Sequence, residues 1–100
     1  MPMPYQLGYE LYPVPGAFTI PPFDGLNRYF TITVDGPLDK YIVSSSYQFV
    51  PNDPEGLELE VFPQITINRF NGNQQWIFQF VKDDIKSFNV NFLLIVVNPG

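Results

Sequence analysis

The residues most able to do acid-base chemistry are Glu58 and Glu60. Two apart on a strand, they share one face about 7 Å apart, near the separation of an inverting glycosidase pair. The simpler reading is the solvent face of a Leu-Glu-Leu-Glu strand, whose like charges also discourage edge pairing. Asp53, Glu55, Asp83 and Asp84 offer hard oxygen ligands of the kind Ca²⁺ takes, yet the segments around them lack a loop with ligands spaced to encircle an ion. Ser44-Ser45-Ser46 has no G-x-S-x-G elbow and no histidine to act as base. With no His and no Cys anywhere, disulfides, Cys or His metal sites, thiol nucleophiles and histidine-dependent acid-base schemes are all excluded. No glycine-rich phosphate loop is present. The expectation is therefore no catalytic residue, no cofactor and no metal.

Aromatic and amide side chains remain as binding chemistry. Trp76, Tyr29, Tyr41 and Tyr47 could stack on the flat face of a sugar, while eight Asn and six Gln take its hydroxyls. Trp76, however, alternates in register with Phe78 and Phe80, which points to a core position. The same amides, set against five Lys and Arg, make a hydrogen-bonding surface that avoids the desolvation cost of buried charge at an interface.

These groups must be positioned by strands. One hundred residues suffice for one domain. Seventeen aromatics, ten of them Phe, are too many for a disordered chain, and eleven Pro, seven Gly and a single Ala (Ala17) disfavour helix. Period-2 alternation runs through Arg28–Val34, with Phe30, Ile32 and Val34 on one face, and through Lys40–Val50, with Tyr41, Val43, Ser45, Tyr47 and Phe49 on one face. It continues in Leu57–Val61, Gln64–Phe70 and Gln75–Val81. Asn71-Gly72-Asn73 supplies hairpin chemistry. Phe88–Val97 alternates at first and then turns apolar on both faces, so a loop, the N-terminal segment or another subunit should cover its outer side. The fold class expected is all-β: a small antiparallel β-sandwich of six to seven strands, jelly-roll-like or immunoglobulin-like, the seventh from Ala17–Ile20.

Residues 1–22 stand apart from the sandwich domain at 23–100. They hold six of the eleven prolines and three tyrosines, a composition that favours an extended, polyproline-like arm. At about 3.1 Å per residue such an arm reaches roughly 70 Å, well beyond its own domain. Tyr5, Leu7, Tyr9, Leu11, Tyr12, Val14 and Phe18 would be its partner-binding anchors. The alternative is that the segment crosses its own sandwich as an irregular edge strand.

Ten acidic against five dispersed basic residues give a net charge of −5, which disfavours nucleic acid and anionic membranes as partners. The N-terminus has no signal-peptide pattern, and the longest apolar run, Phe92–Val97, is far short of a membrane span. A soluble protein not secreted by that route is expected.

In general style the chain resembles small accessory proteins of virus particles, particularly tailed-phage head decoration and fibre proteins: a Cys-free, amide-rich β-sandwich behind a proline-rich N-terminal arm. The resemblance is one of composition and carries no site assignments. It implies a non-enzymatic structural protein of a virion, cytoplasmic before assembly, decorating or cementing a protein shell. Its partners would be that shell or neighbouring subunits in a homo-oligomer, with the arm laid on a neighbour. A carbohydrate-binding, lectin-like module is the alternative.

Overall fold

A computed structural model describes residues 8–51 and 61–98. The described chain is all-β, with seven antiparallel strands in two sheets. They are β1 (Tyr9–Pro13), β2 (Phe18–Ile20), β3 (Tyr29–Asp35), β4 (Tyr41–Val50), β5 (Ile65–Gly72), β6 (Gln75–Val81) and β7 (Phe88–Val97). In the first sheet β7 is central, with β4 along one side and β1 and β2 end to end along the other. The second sheet has the order β3-β6-β5.

Five of the six expected strands are present, and Ala17–Ile20 provides β2. Expected strand Leu57–Val61 lies outside the described residues except for Val61. The described part of the proline-rich segment takes the edge-strand course. Tyr9–Pro13 pairs with Val97–Leu93, the Val14 amide donates to the Phe92 carbonyl at 3.0 Å, and Phe18–Ile20 pairs with Val90–Phe88. An edge tolerates proline because its outer N–H groups are not needed by the ladder. The break between β1 and β2 falls at Pro15-Gly16-Ala17, where Gly16 has φ +108°, a conformation that a side chain resists.

Alternation puts Ile32 and Val34 of β3, Phe78 and Phe80 of β6, and Val90, Phe92, Leu94 and Val96 of β7 into one core with Ile20. Phe78 and Phe92 lie 4.3 Å apart between centroids, and Tyr47 meets Phe80 edge-on at 5.5 Å. Such pairs add about 0.5–1.5 kcal/mol each beyond the area they bury.

Two local readings shift. In β4 the register slips between Ile42 and Ser44, so that Ile42 faces Val96 and Ser44 faces Ile95. The bulge sets Val43 and Ser44 together opposite Ile95 and reverses the alternation before it. Ile42 is buried, whereas Tyr41 and Val43, expected inward, are exposed. The hairpin also slides. Its tip is Asn73-Gln74, both with positive φ (52° and 61°), after a bulge that carries β5 through Asn71 to Gly72. Two successive positive φ values make a type I′ turn, whose twist matches the strands it joins.

Gln74 is poorly suited to that place. A left-handed conformation costs a non-glycine residue about 1–2 kcal/mol, and its side-chain Oε1 is buried with no hydrogen-bond partner among the described residues. Gln74→Gly removes both penalties while keeping the Gln74 carbonyl that accepts from the Gly36 amide at 2.8 Å. A net gain of about 1 kcal/mol is expected after the added unfolded-state entropy, read as a Tm rise of roughly 4–8 °C. An unchanged or lower Tm would contradict this.

Two aspartates organise the loops at the end of the sandwich. Asp24 Oδ1 accepts from the Leu26 and Asn27 amides, and Asp83 Oδ2 from those of Ile85 and Lys86. These backbone donors hold both carboxyls below the ordinary aspartate range. A depressed folded pKa contributes stability that is full above the unfolded value and is lost as pH falls through the folded one. Acidification below the ordinary aspartate range should therefore lower Tm, and the paired Asp24→Asn and Asp83→Asn substitutions should flatten that dependence. An identical acid profile in the double variant would show that other carboxylates carry it.

Candidate functional site

The two sheets present outer faces of opposite character. On the β3-β6-β5 sheet the side chains are tied to one another. Gln79 Nε2 donates to Thr31 Oγ1 at 3.1 Å, Thr66 Oγ1 donates to Gln79 Oε1 at 3.0 Å, and Gln75 Nε2 donates to the Asp35 carboxylate at 2.9 Å. With Asp35 and Arg69 on the strands that flank β6, this is a face built to be solvated.

The outer face of the β4-β7-β1 sheet has no charged strand residue. The register lays it out in rows across β7. The first row is Tyr9, Val97 and Tyr41; the second is Leu11, Ile95 and the bulged pair Val43-Ser44; the third is Pro13, Leu93 and Ser46. Beyond these the face turns mainly polar, through Asn91 beside Gln48 and then Asn89, which stands opposite the exposed Val50 and whose Oδ1 accepts from Thr19 Oγ1 at 2.7 Å. The apolar half is exposed where it matters: Tyr9 69%, Leu11 67%, Tyr41 56% and Val43 48%. Val97, flanked by the two tyrosines, is buried, and Leu93 and Ile95 are half-buried. Leu93 and Ile95 thus keep part of their surface open, although the run Leu93–Val97 promised burial on both sides.

The expected arm anchors divide by strand parity. Tyr12, Val14 and Phe18 turn inward and pack against the core, Phe18 meeting Phe92 edge-on at 5.1 Å. Tyr9 and Leu11 turn outward onto the uncharged face. Tyr5 and Leu7 lie outside the described residues. The aromatics considered for a sugar platform are not brought together. Tyr47 is inside, beside Phe78 and Phe80. Trp76 is half-buried on the inner side of β6, its indole N–H donating to Asn68 Oδ1 at 2.6 Å. Tyr29 belongs to the opposite outer face, and only Tyr41 belongs to the uncharged one.

The acidic candidates are engaged or undescribed. Glu58, Glu60, Asp53 and Glu55 lie outside the described residues. The Asp83 carboxylate is taken by its turn, and Asp84 pairs with Arg28 at 2.6 Å. Among the described residues no three His, Cys, Asp or Glu come together. Ser45 Oγ donates to Asn68 Oδ1 at 2.7 Å, an inter-sheet tie. No helix of the described chain is long and apolar enough to cross a membrane.

The concavities are shallow. One of about 210 Å³ sits on the uncharged face among Pro13, Ser46, Gln48, Asn91 and Leu93. Another, of about 270 Å³, opens between β1-β2 and β3, beside Tyr12, Phe18 and Asp35. Sequence reasoning missed Val43 because a bulge carries no reliable sequence signal, and it saw Leu93 and Ile95 only as part of a doubly apolar strand. Comparison of the chain with protein-family models, with curated proteins and with solved structures finds no match.

Proposed function

We propose that the chain is a non-enzymatic structural protein of a virion or similar assembly, docking onto a protein shell or neighbouring subunits through the outer face of the β4-β7-β1 sheet. The observation that carries this reading is the half-apolar, uncharged face itself, on a chain of net charge −5. Five large hydrophobic side chains, Val50 among them, remain open to water there, and covering a face without charges incurs no ionic desolvation penalty. Its amide half supplies adaptable donors and acceptors at the rim, the usual complement of an apolar interface core. The proline-rich segment contributes Tyr9 and Leu11 to this surface, so the arm and the apolar face act as one.

Leu11→Lys and Val43→Lys each place a charge on the exposed apolar half without touching the core. Sedimentation of particles from cells carrying the wild type or the double variant tests the proposal. The wild-type chain should run with the particle fraction. The double variant should lose at least tenfold in particle-bound chain while its Tm falls by no more than roughly 4–8 °C, since each surface substitution generally changes stability by less than about 0.5 kcal/mol. Equal incorporation of a folded double variant would overturn the reading.

A further inference from the structure

We propose that the occupant of this face is the same face of a second copy, in a two-fold dimer whose axis runs along β7 between the stacked sheets. The inference rests on the reading that this face is a docking surface, and it adds the partner. Tyr9 and Tyr41 both stand in register with Val97, and Leu11 and the Val43-Ser44 bulge both stand opposite Ile95. The strands on either side of β7 thus present an aromatic and then an aliphatic side chain at the same two levels. The face is nearly symmetric about its central strand, although β1 and β4 come from distant parts of the chain.

That symmetry decides which partner fits. A half-turn about an axis parallel to β7 exchanges left and right and preserves the level along the strand. It places Tyr9 and Leu11 over the second copy's Tyr41 and Val43, and Ile95 over the second copy's Ile95. Apolar half meets apolar half and amide half meets amide half, the mutual contact that an isologous interface requires. An axis across the strands would instead put apolar rows on Asn89 and Asn91 wherever overlap is full. Charge permits this, because two copies meeting through a face with no charged strand residue bring no like charges into contact, and the long-range repulsion of two chains of net charge −5 is screened by salt.

Area sets the expected strength. Ten-residue strands are about 34 Å long, and three strand positions at about 4.8 Å spacing make a flat footprint of roughly 500 Å² per copy. Two copies reach about 1,000 Å², the lower bound for a specific interface and well below an obligate one. The dimer should therefore assemble and dissociate in the micromolar range.

Sedimentation velocity of the full chain, from low micromolar to several hundred micromolar, reads this directly. The mass should double across the range, and Leu11→Lys, at an exposed position, should weaken association at least tenfold. Stacked sheets lie about 10 Å apart, too far for a direct disulfide. A short bismaleimide should join Ile95→Cys to itself and leave Ile77→Cys, on the opposite sheet, uncoupled. A wild type that stays monomeric throughout overturns the dimer, as does coupling through Ile77→Cys or association indifferent to Leu11→Lys. If the monomeric wild type still enters particles and Leu11→Lys does not, the dimer fails while the docking face stands. If the dimer forms as described and Leu11→Lys enters particles normally, the dimer stands and docking to the shell fails.

Discussion

Removal of residues 1–22 is expected to leave a chain that does not fold. The truncation takes away β1 and β2, and with them the partners of β7 on one whole side. It also empties part of the core. Ile20 is fully buried, and Tyr12, Val14 and Phe18 pack against the central cluster. Fully burying such a side chain is worth about 1.5–3 kcal/mol and half-burying it correspondingly less, so Ile20 with the half-buried Tyr12, Val14 and Phe18 amounts to roughly 4–7 kcal/mol, comparable with the lower part of the 5–15 kcal/mol of a whole small domain. An arm that merely left the domain would give the opposite outcome. Far-UV circular dichroism and the fluorescence of Trp76, the single tryptophan, should show no cooperative transition in the truncated chain. A transition with native amplitude would refute the edge-strand role.

Phe78→Ala carries the second large effect. Phe78 has no exposed surface, and its ring meets Phe92 at 4.3 Å and Tyr47 at 6.3 Å, so both sheets lean on it. Phe→Ala changes in a packed core cost about 3–5 kcal/mol through lost transfer energy and the cavity that remains. Urea unfolding followed by Trp76 should place the midpoint of Phe78→Ala far below that of the wild type. Val43→Ala, at an exposed bulge position, should shift it by less than about 0.5 kcal/mol. Comparable shifts for the two variants would mean that the assignment of inner and outer faces is mistaken.

Much of this fold was legible because alternation is a direct consequence of the strand pleat. Phe30, Ile32 and Val34 in β3, and Phe78 and Phe80 in β6, face where period 2 puts them. The proline-rich composition of residues 1–22 left two courses open. Proline excludes helix and internal strand but is compatible with both a free arm and a sheet edge, and only pairing with β7 distinguishes them. The bulge at Val43 was illegible for a different reason. A bulge inserts one residue without changing residue types, so everything before it flips face while the sequence still alternates. That single insertion brings Tyr41 and Val43 to the surface and completes the left-right match with Tyr9 and Leu11. The site was therefore less readable than the fold. Its components come from β1, β4 and β7, and the register that aligns them is a property of the assembled sheet.

Tyrosine labelling in the isolated chain, kept at nanomolar concentration where it is monomeric, and in the assembled particle tests the docking face most directly. Tyr9 and Tyr41 lie on the uncharged face and Tyr29 on the opposite one, all three exposed. Loss of labelling at Tyr9 and Tyr41 on assembly, with Tyr29 labelled as before, is the expected result. Protection of Tyr29 with Tyr9 and Tyr41 still reactive would mean that the chain docks through its other sheet.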